Sequence, residues 1–462
     1  MRGLGILIGC GLAGSAALAA SDNTLVIRNA DVYPVTGAEM KGVSVLIQDG
    51  KIADIGAKLV PAKGVRVVEG KGLRVYPGMI DSGTELGLSE VSAVRETVDT
   101  GELGELMPQL RAVVAVNPES EHFQVVRVNG ITSVMTFPSS GGGGGGGGRF
   151  GGGERQLISG QAALIHTDGW TWEDMTINRS AAMHLIFPSM GGRGGRGGAI
   201  PDSVLEMIPG AVGGSYTQAK RTYDQQIARL NEFFDQARQY QKEKAAHAAD
   251  FKPGSKPDLK MDGFKPDLKM EAMLPVLEGT VPLGVSASRA GAIHDAIAFA
   301  AQQRVRIVIL QPRDVAKAGP ELKAKNIPVI LGRVLALPDA EDDPYDEAFT
   351  QPAEAYKAGV KFAFGTFNNE FIRNLPYQAA TAVAFGLPYD EALKAVTINA
   401  AQIWGSANEI GSVEKGKWAD LMVTTGDPLE VRTQVKYLFI KGKEIPLVNK
   451  QTRLYDKYMS RQ

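Results

Sequence analysis

Cysteine, histidine and net charge are what this chain has least of. One cysteine, Cys10, occurs in 462 residues, inside an apolar N-terminal stretch. Once that stretch is removed, the chain has no disulfide and no thiolate metal ligand. The five histidines, His122, His166, His184, His247 and His294, show no partner at metal-ligand spacing. Fifty basic residues against 51 acidic ones give a net charge of −1, so no global field argues for nucleic acid or an anionic membrane surface. Beyond the first twenty residues no stretch is long and apolar enough to span a bilayer.

What is present begins with an export signature. Arg2 is followed by an apolar, small-residue run and Ala17-Leu18-Ala19-Ala20 before Ser21, which predicts a signal peptide over 1–20 and an exported, periplasmic protein. A competing reading takes Leu7-Ile8-Gly9-Cys10 as a lipoprotein box. The length admits one large α/β domain and a smaller one. Residues 21–75 are β text, LVIRNADVYPV and VSVLIQDGKIADIG, with Asp49-Gly50 as a turn. From Gly284 onward, strand and helix patterns alternate in a βαβα rhythm that argues for a parallel sheet or barrel. Two glycine tracts, 141–153 and 191–198, interrupt the middle of the chain. The patterned piece between them, LISGQAALIHTDGWTWEDMTI, reads as an inserted hairpin. Arg193 and Arg196 in the second tract are too few to argue for RNA binding. Tyr216 to Ala249 is a long polar helix pattern, followed by a duplicated phrase, KPDLKM, at 256–261 and 265–270.

The organising stretch is PGMIDSGTE, Pro77 to Glu85. An apolar run enters it across Pro77-Gly78 and stops at Asp81, the pattern of a buried strand that ends in a polar tip. Further on, GITSV (130–134), NLPYQAATAVAFGLPYDEALKAVTINAAQIWG (374–405) and IGSVEKGKWADL (410–421) complete a set of phrases that resembles the amidohydrolase superfamily, and within it the imidazolonepropionase-like metal-dependent hydrolases. The resemblance implies a TIM-like (β/α)8 barrel over 76–405 and a small composite β-sandwich built from 21–75 and 406–462. It also implies hydrolysis of non-peptide C–N bonds by water held on zinc or another divalent metal.

By the same resemblance, the metal ligands should stand at positions where this chain has none. The strand-one histidines are replaced by Gly83 and Glu85, those of strand five by Ser286 and Ser288, and that of strand six by Gln311. The strand-eight aspartate, which should follow Gly365-Thr366, is Phe367. Serine hydroxyls and a glutamine amide are poor ligands for a zinc-like ion. The expectation is therefore a degenerate member without a confident cofactor. It would be a non-catalytic partner of an active paralogue or a homo-oligomer with a small-molecule ligand, with no nucleic acid and no membrane span. The alternative is a hydrolase of amides or cyclic amides that uses an unrecognised or oxygen-ligand site, with Asp81, Gly83, Glu85, Ser286, Ser288, Gln311, Thr366 and Phe367 as pocket candidates. Asp81 with Glu85 offers oxygens for a hard cation, or else a hydrogen-bonded carboxylate. Ser286 or Ser288 as a nucleophile needs a base, and the sequence shows none. His166 and His184 read as structural; His122, His247 and His294 read as solvated.

Overall fold

The computed structural model describes residues 24–59, 61–139, 156–190, 216–249, 264–338 and 343–461. The expected signal peptide, both glycine tracts and the KPDLKM copy at 256–261 lie outside the described residues. Among those described, no helix is long and apolar enough to cross a membrane.

The N-terminal β text forms β1 (Thr24–Val32), β2 (Met40–Gln48), β3 (Lys51–Gly56), β4 (Arg66–Glu69) and β5 (Arg74–Pro77). Asp49 and Gly50 both have positive φ, +50° and +80°, between the paired Gln48 and Lys51. That is the two-residue turn an Asp-Gly pair favours.

The barrel follows: β6 (Met79–Thr84), β7 (Ile131–Thr136), β8 (Ile158–His166), β9 (Thr176–Ile186), β10 (Leu283–Ser286), β11 (Ile307–Leu310), β12 (Val329–Leu331) and β13 (Phe362–Phe364). They neighbour one another in that order. Helices such as Ala290–Gln303, Val315–Ala324, Glu347–Lys357 and Leu375–Ala384 cover the outside, as the βαβα rhythm predicts. One stave departs from that rhythm, because β8 is antiparallel to both β7 and β9. The segment read as an inserted hairpin is therefore part of the wall: it supplies β8 and leads into β9. Its residues pack on both faces, and every residue of β8 is buried, which an appended hairpin would not allow.

The chain then returns to the first domain with β14 (Leu421–Thr424), β15 (Val435–Ile440) and β16 (Lys443–Ile445). β14 pairs antiparallel with β5, so both chain ends build one continuous eight-stranded sheet around Ile27, Val45, Ile52, Val75, Leu421 and Phe439. Asp420 accepts a hydrogen bond from the Lys441 backbone N–H at 2.8 Å, the turn-holding role expected of it. Gly78 joins the two domains. Its N–H donates to the Asp420 carbonyl at 2.8 Å, and a Cβ there would collide with the Thr132 side chain. Only glycine permits that approach.

Candidate active site at the barrel mouth

In a barrel of this kind the functional face is the one where the parallel strands end. Here those ends form a cavity of about 810 Å³. Ser286, Ser288, Gln311, Thr366 and Phe367 line it, whereas Asp81, Gly83 and Glu85 do not. The structure thus separates the eight candidates into two groups.

Asp81 closes the barrel. Among the described residues no ladder joins β13 to β6, and the fully buried Asp81 side chain bridges the gap. Its Oδ1 accepts from the Gly83 N–H at 3.1 Å and the Thr366 N–H at 3.0 Å, and its Oδ2 accepts from the Thr366 hydroxyl at 2.6 Å. The Phe367 N–H adds a bond to the Gly83 carbonyl at 2.7 Å. Burial pushes the Asp81 carboxyl up to about 7, against the opposing pull of these three donors. Burial also pushes the half-buried Glu85 up.

Phe367 fills the space beside the seam. A Cβ on Gly83 would lie 2.6 Å from its ring, so the ring occupies the volume a side chain at position 83 would need. The ring packs against Phe137, which in turn meets Trp404 and His184 edge-on. Phe367 and Gln311 both take left-handed backbone conformations, φ +46° and +53°, just past the ends of β13 and β11, the two staves that flank β12. Residues held in this way cluster where the surrounding structure fixes a site.

This donor set does not fit a zinc-type ion. Both Asp81 oxygens are committed to the seam. The remaining mouth groups are hydroxyls, one amide and an aromatic ring. Among the described residues, no three His, Cys, Asp or Glu side chains converge as a metal would require.

The histidines fall into three settings. His122 Nε2 lies 3.0 Å from the Glu90 carbonyl, and the exposed His294 meets Glu321 at 2.6 Å. His247 lies beside the Phe264 ring. His166 is fully buried, with Nδ1 3.4 Å from Asp420 Oδ2 and no hydrogen bond on either nitrogen. Burial pushes His166 down to about 3 and Asp420 up to about 7. The proximity suggests an ion pair, but without hydrogen bonds to repay desolvation the neutral pair is favoured.

His184 is the residue that sequence reasoning passed over. Its Nε2 sits 2.9 Å from Ser286 Oγ and its Nδ1 2.7 Å from the Pro138 carbonyl. The separation of β9 from β10 by nearly a hundred residues hides this contact. A parallel pairing that places His184 opposite Gly284 is the only signal that reveals it.

Comparisons with known proteins agree with the architecture. The amidohydrolase family model matches residues 298–445. An amidohydrolase from Thermotoga maritima MSB8 superposes with a TM-score of 0.72 at 24% identity, covering 91% of this chain and 99% of its own. A prolidase complexed with N-methylphosphonate-L-proline gives 0.51 at 18% identity, with 91% and 99% covered. Phenylurea hydrolase B gives 0.51 at 16% identity, with 92% and 97% covered. No curated protein matches by sequence. At these identities the structures speak for the fold alone. Over residues 298–445 the chain is thus similar to the amidohydrolase family, and its barrel and chain-end sheet share the fold of these structures.

Proposed function

We propose that this protein binds a small organic molecule at the barrel mouth and does not hydrolyse it through a metal-held water. One observation carries the reading: the Phe367 ring stands in the side-chain space of Gly83, where the family resemblance puts a metal ligand. The opening beside it remains large enough, at about 810 Å³, for a molecule of drug or metabolite size. Its wall mixes Phe187, Met190 and Phe367 with Ser286, Gln311 and Arg333, a lining suited to an apolar body with a few polar handles. Arg289 is already engaged, donating to both Asp343 oxygens at 3.2 and 2.8 Å.

The related prolidase and phenylurea hydrolase B suggest where to look for ligands: acylated amino acids, cyclic amides and ureas. Thermal unfolding of the full chain with such a panel, in the presence of a chelator, tests the proposal. A ligand that raises Tm in chelator, with no turnover that depends on added zinc, is the expected result. C–N hydrolysis that appears with zinc and disappears with chelator would overturn it.

A further inference from the structure

We propose that Ser286 and His184 form a nucleophile and general-base pair, which gives this pocket metal-independent acyl-transfer chemistry toward small esters and activated amides. The inference rests on the open pocket argued above and adds a reaction to it.

The hydrogen-bond network assigns the imidazole tautomer. Nδ1 faces the Pro138 carbonyl, which can only accept, so Nδ1 carries the proton. Ser159 Oγ lies 2.7 Å from the same nitrogen and donates to the same carbonyl at 3.0 Å, which fixes the ring from a second side. Nε2 is therefore the bare nitrogen, and its lone pair points at the Ser286 hydroxyl 2.9 Å away. A backbone carbonyl here does what an orienting carboxylate does in other nucleophile–base pairs: it holds the tautomer and the ring plane.

Placement supports the roles. Ser286 lines the cavity, while His184 is 7% exposed and lies behind it. The nucleophile thus faces the ligand and the base is shielded, with Phe137 edge-on to the imidazole at 5.4 Å. Both residues lie on paired parallel strands rather than on loops, which limits drift in their separation. Gly284, opposite His184, has Phe137 and Leu310 atoms 3.1–3.3 Å from where its Cβ would be. A side chain there would press on the ring that backs the imidazole. Burial pushes the imidazole down to about 4, so at neutral pH it is uncharged and able to accept a proton.

The step balances as follows. Ser286 Oγ bonds to the acyl carbon as its proton passes to His184 Nε2. The C–O or C–N bond breaks, and the leaving alcohol or amine takes that proton. Water then attacks the acyl-serine, delivers one proton to Nε2, and Ser286 recovers it as the carboxylic acid departs.

The test uses full-length, chelator-treated protein with a fluorophosphonate and with 4-nitrophenyl acetate, read by intact mass and peptide mapping. Expected are one adduct on Ser286, its loss in Ser286→Ala at unchanged Tm, and labelling slower by roughly 100-fold in His184→Gln. Wild-type protein left unmodified at Ser286, an adduct that maps to Ser288, or equal rates in His184→Gln would overturn it. Ligand-induced thermal shifts without a Ser286 adduct would sink the dyad and leave the binding pocket standing. Loss of both would remove the pocket as well.

Discussion

Gly83 and Phe367 set up the sharpest test at the level of single residues. Gly83→Ala forces a methyl into the Phe367 ring, and overpacking of this kind costs about 1–3 kcal/mol. Combining it with Phe367→Ala should recover most of that cost, and a double-mutant cycle from urea midpoints checks the coupling. Asp81 makes a prediction in pH. A carboxyl raised from 3.8 to about 7 on folding lets the native chain hold a proton that the unfolded chain has released. Its contribution is full below about pH 4 and is lost as pH rises through 7. Asp81→Asn keeps the Oδ1 acceptor and replaces Oδ2 with an amide that donates to the Thr366 hydroxyl. It should therefore gain stability relative to wild type as pH rises from about 4 to 7, and parallel midpoints that never diverge would contradict this. His166 and Asp420 behave differently because their shifts oppose each other. Folding moves one proton from imidazole to carboxylate within the pair and leaves the count unchanged over about pH 4–6.5. In Asp420→Asn only the depressed His166 remains, so stability relative to wild type should rise with pH across that interval. At this scale much was legible in the sequence. Gly83, Ser286 and Phe367 stand out in recognisable phrases. His184 does not, because its role depends on which strand lies beside it, and no local pattern encodes that.

At the level of elements, the unexpected feature is the antiparallel β8. The patterned text around Asp168-Gly169 reads as a hairpin between the glycine tracts. It could not show that both its strands pair outward into the barrel, since strand direction and partner are decided by long-range packing. The connection between the helix Glu121–Arg127 and β7 was easier to read. Gly130 ends that helix segment with φ +82°, the conformation glycine supplies at low cost. A Cβ there would also lie 2.5 Å from the Met422 sulfur on β14. Gly130→Ala thus strains the backbone and displaces a contact between barrel and β domain, and a loss of about 1–3 kcal/mol in denaturant unfolding is expected. An unchanged midpoint would show that this junction is softer than its packing implies.

Across the whole molecule, two chain ends form one sheet, eight staves form a barrel, and the Asp81 carboxylate together with the Phe367–Gly83 backbone bond bridges the last stave to the first. Asp81→Ala removes three hydrogen bonds and leaves the Thr366 N–H buried without its acceptor; on the order of 3 kcal/mol should be lost. The barrel and chain-end sheet were legible from motif phrases because turn glycines, the Pro77-Gly78 approach and core periodicity are local demands. What the mouth does was less legible, because the phrases specify strands and turns and leave the chemistry of the side chains at their ends open. The central claim is that aromatic packing and a hydrogen-bonded seam occupy the place of a metal centre. Elemental analysis of the purified, dialysed full-length protein tests it most directly. The account predicts transition metal far below one ion per chain, with no gain in thermal stability on adding zinc. One tightly held ion per chain, surviving dialysis and stabilising the fold, would contradict it.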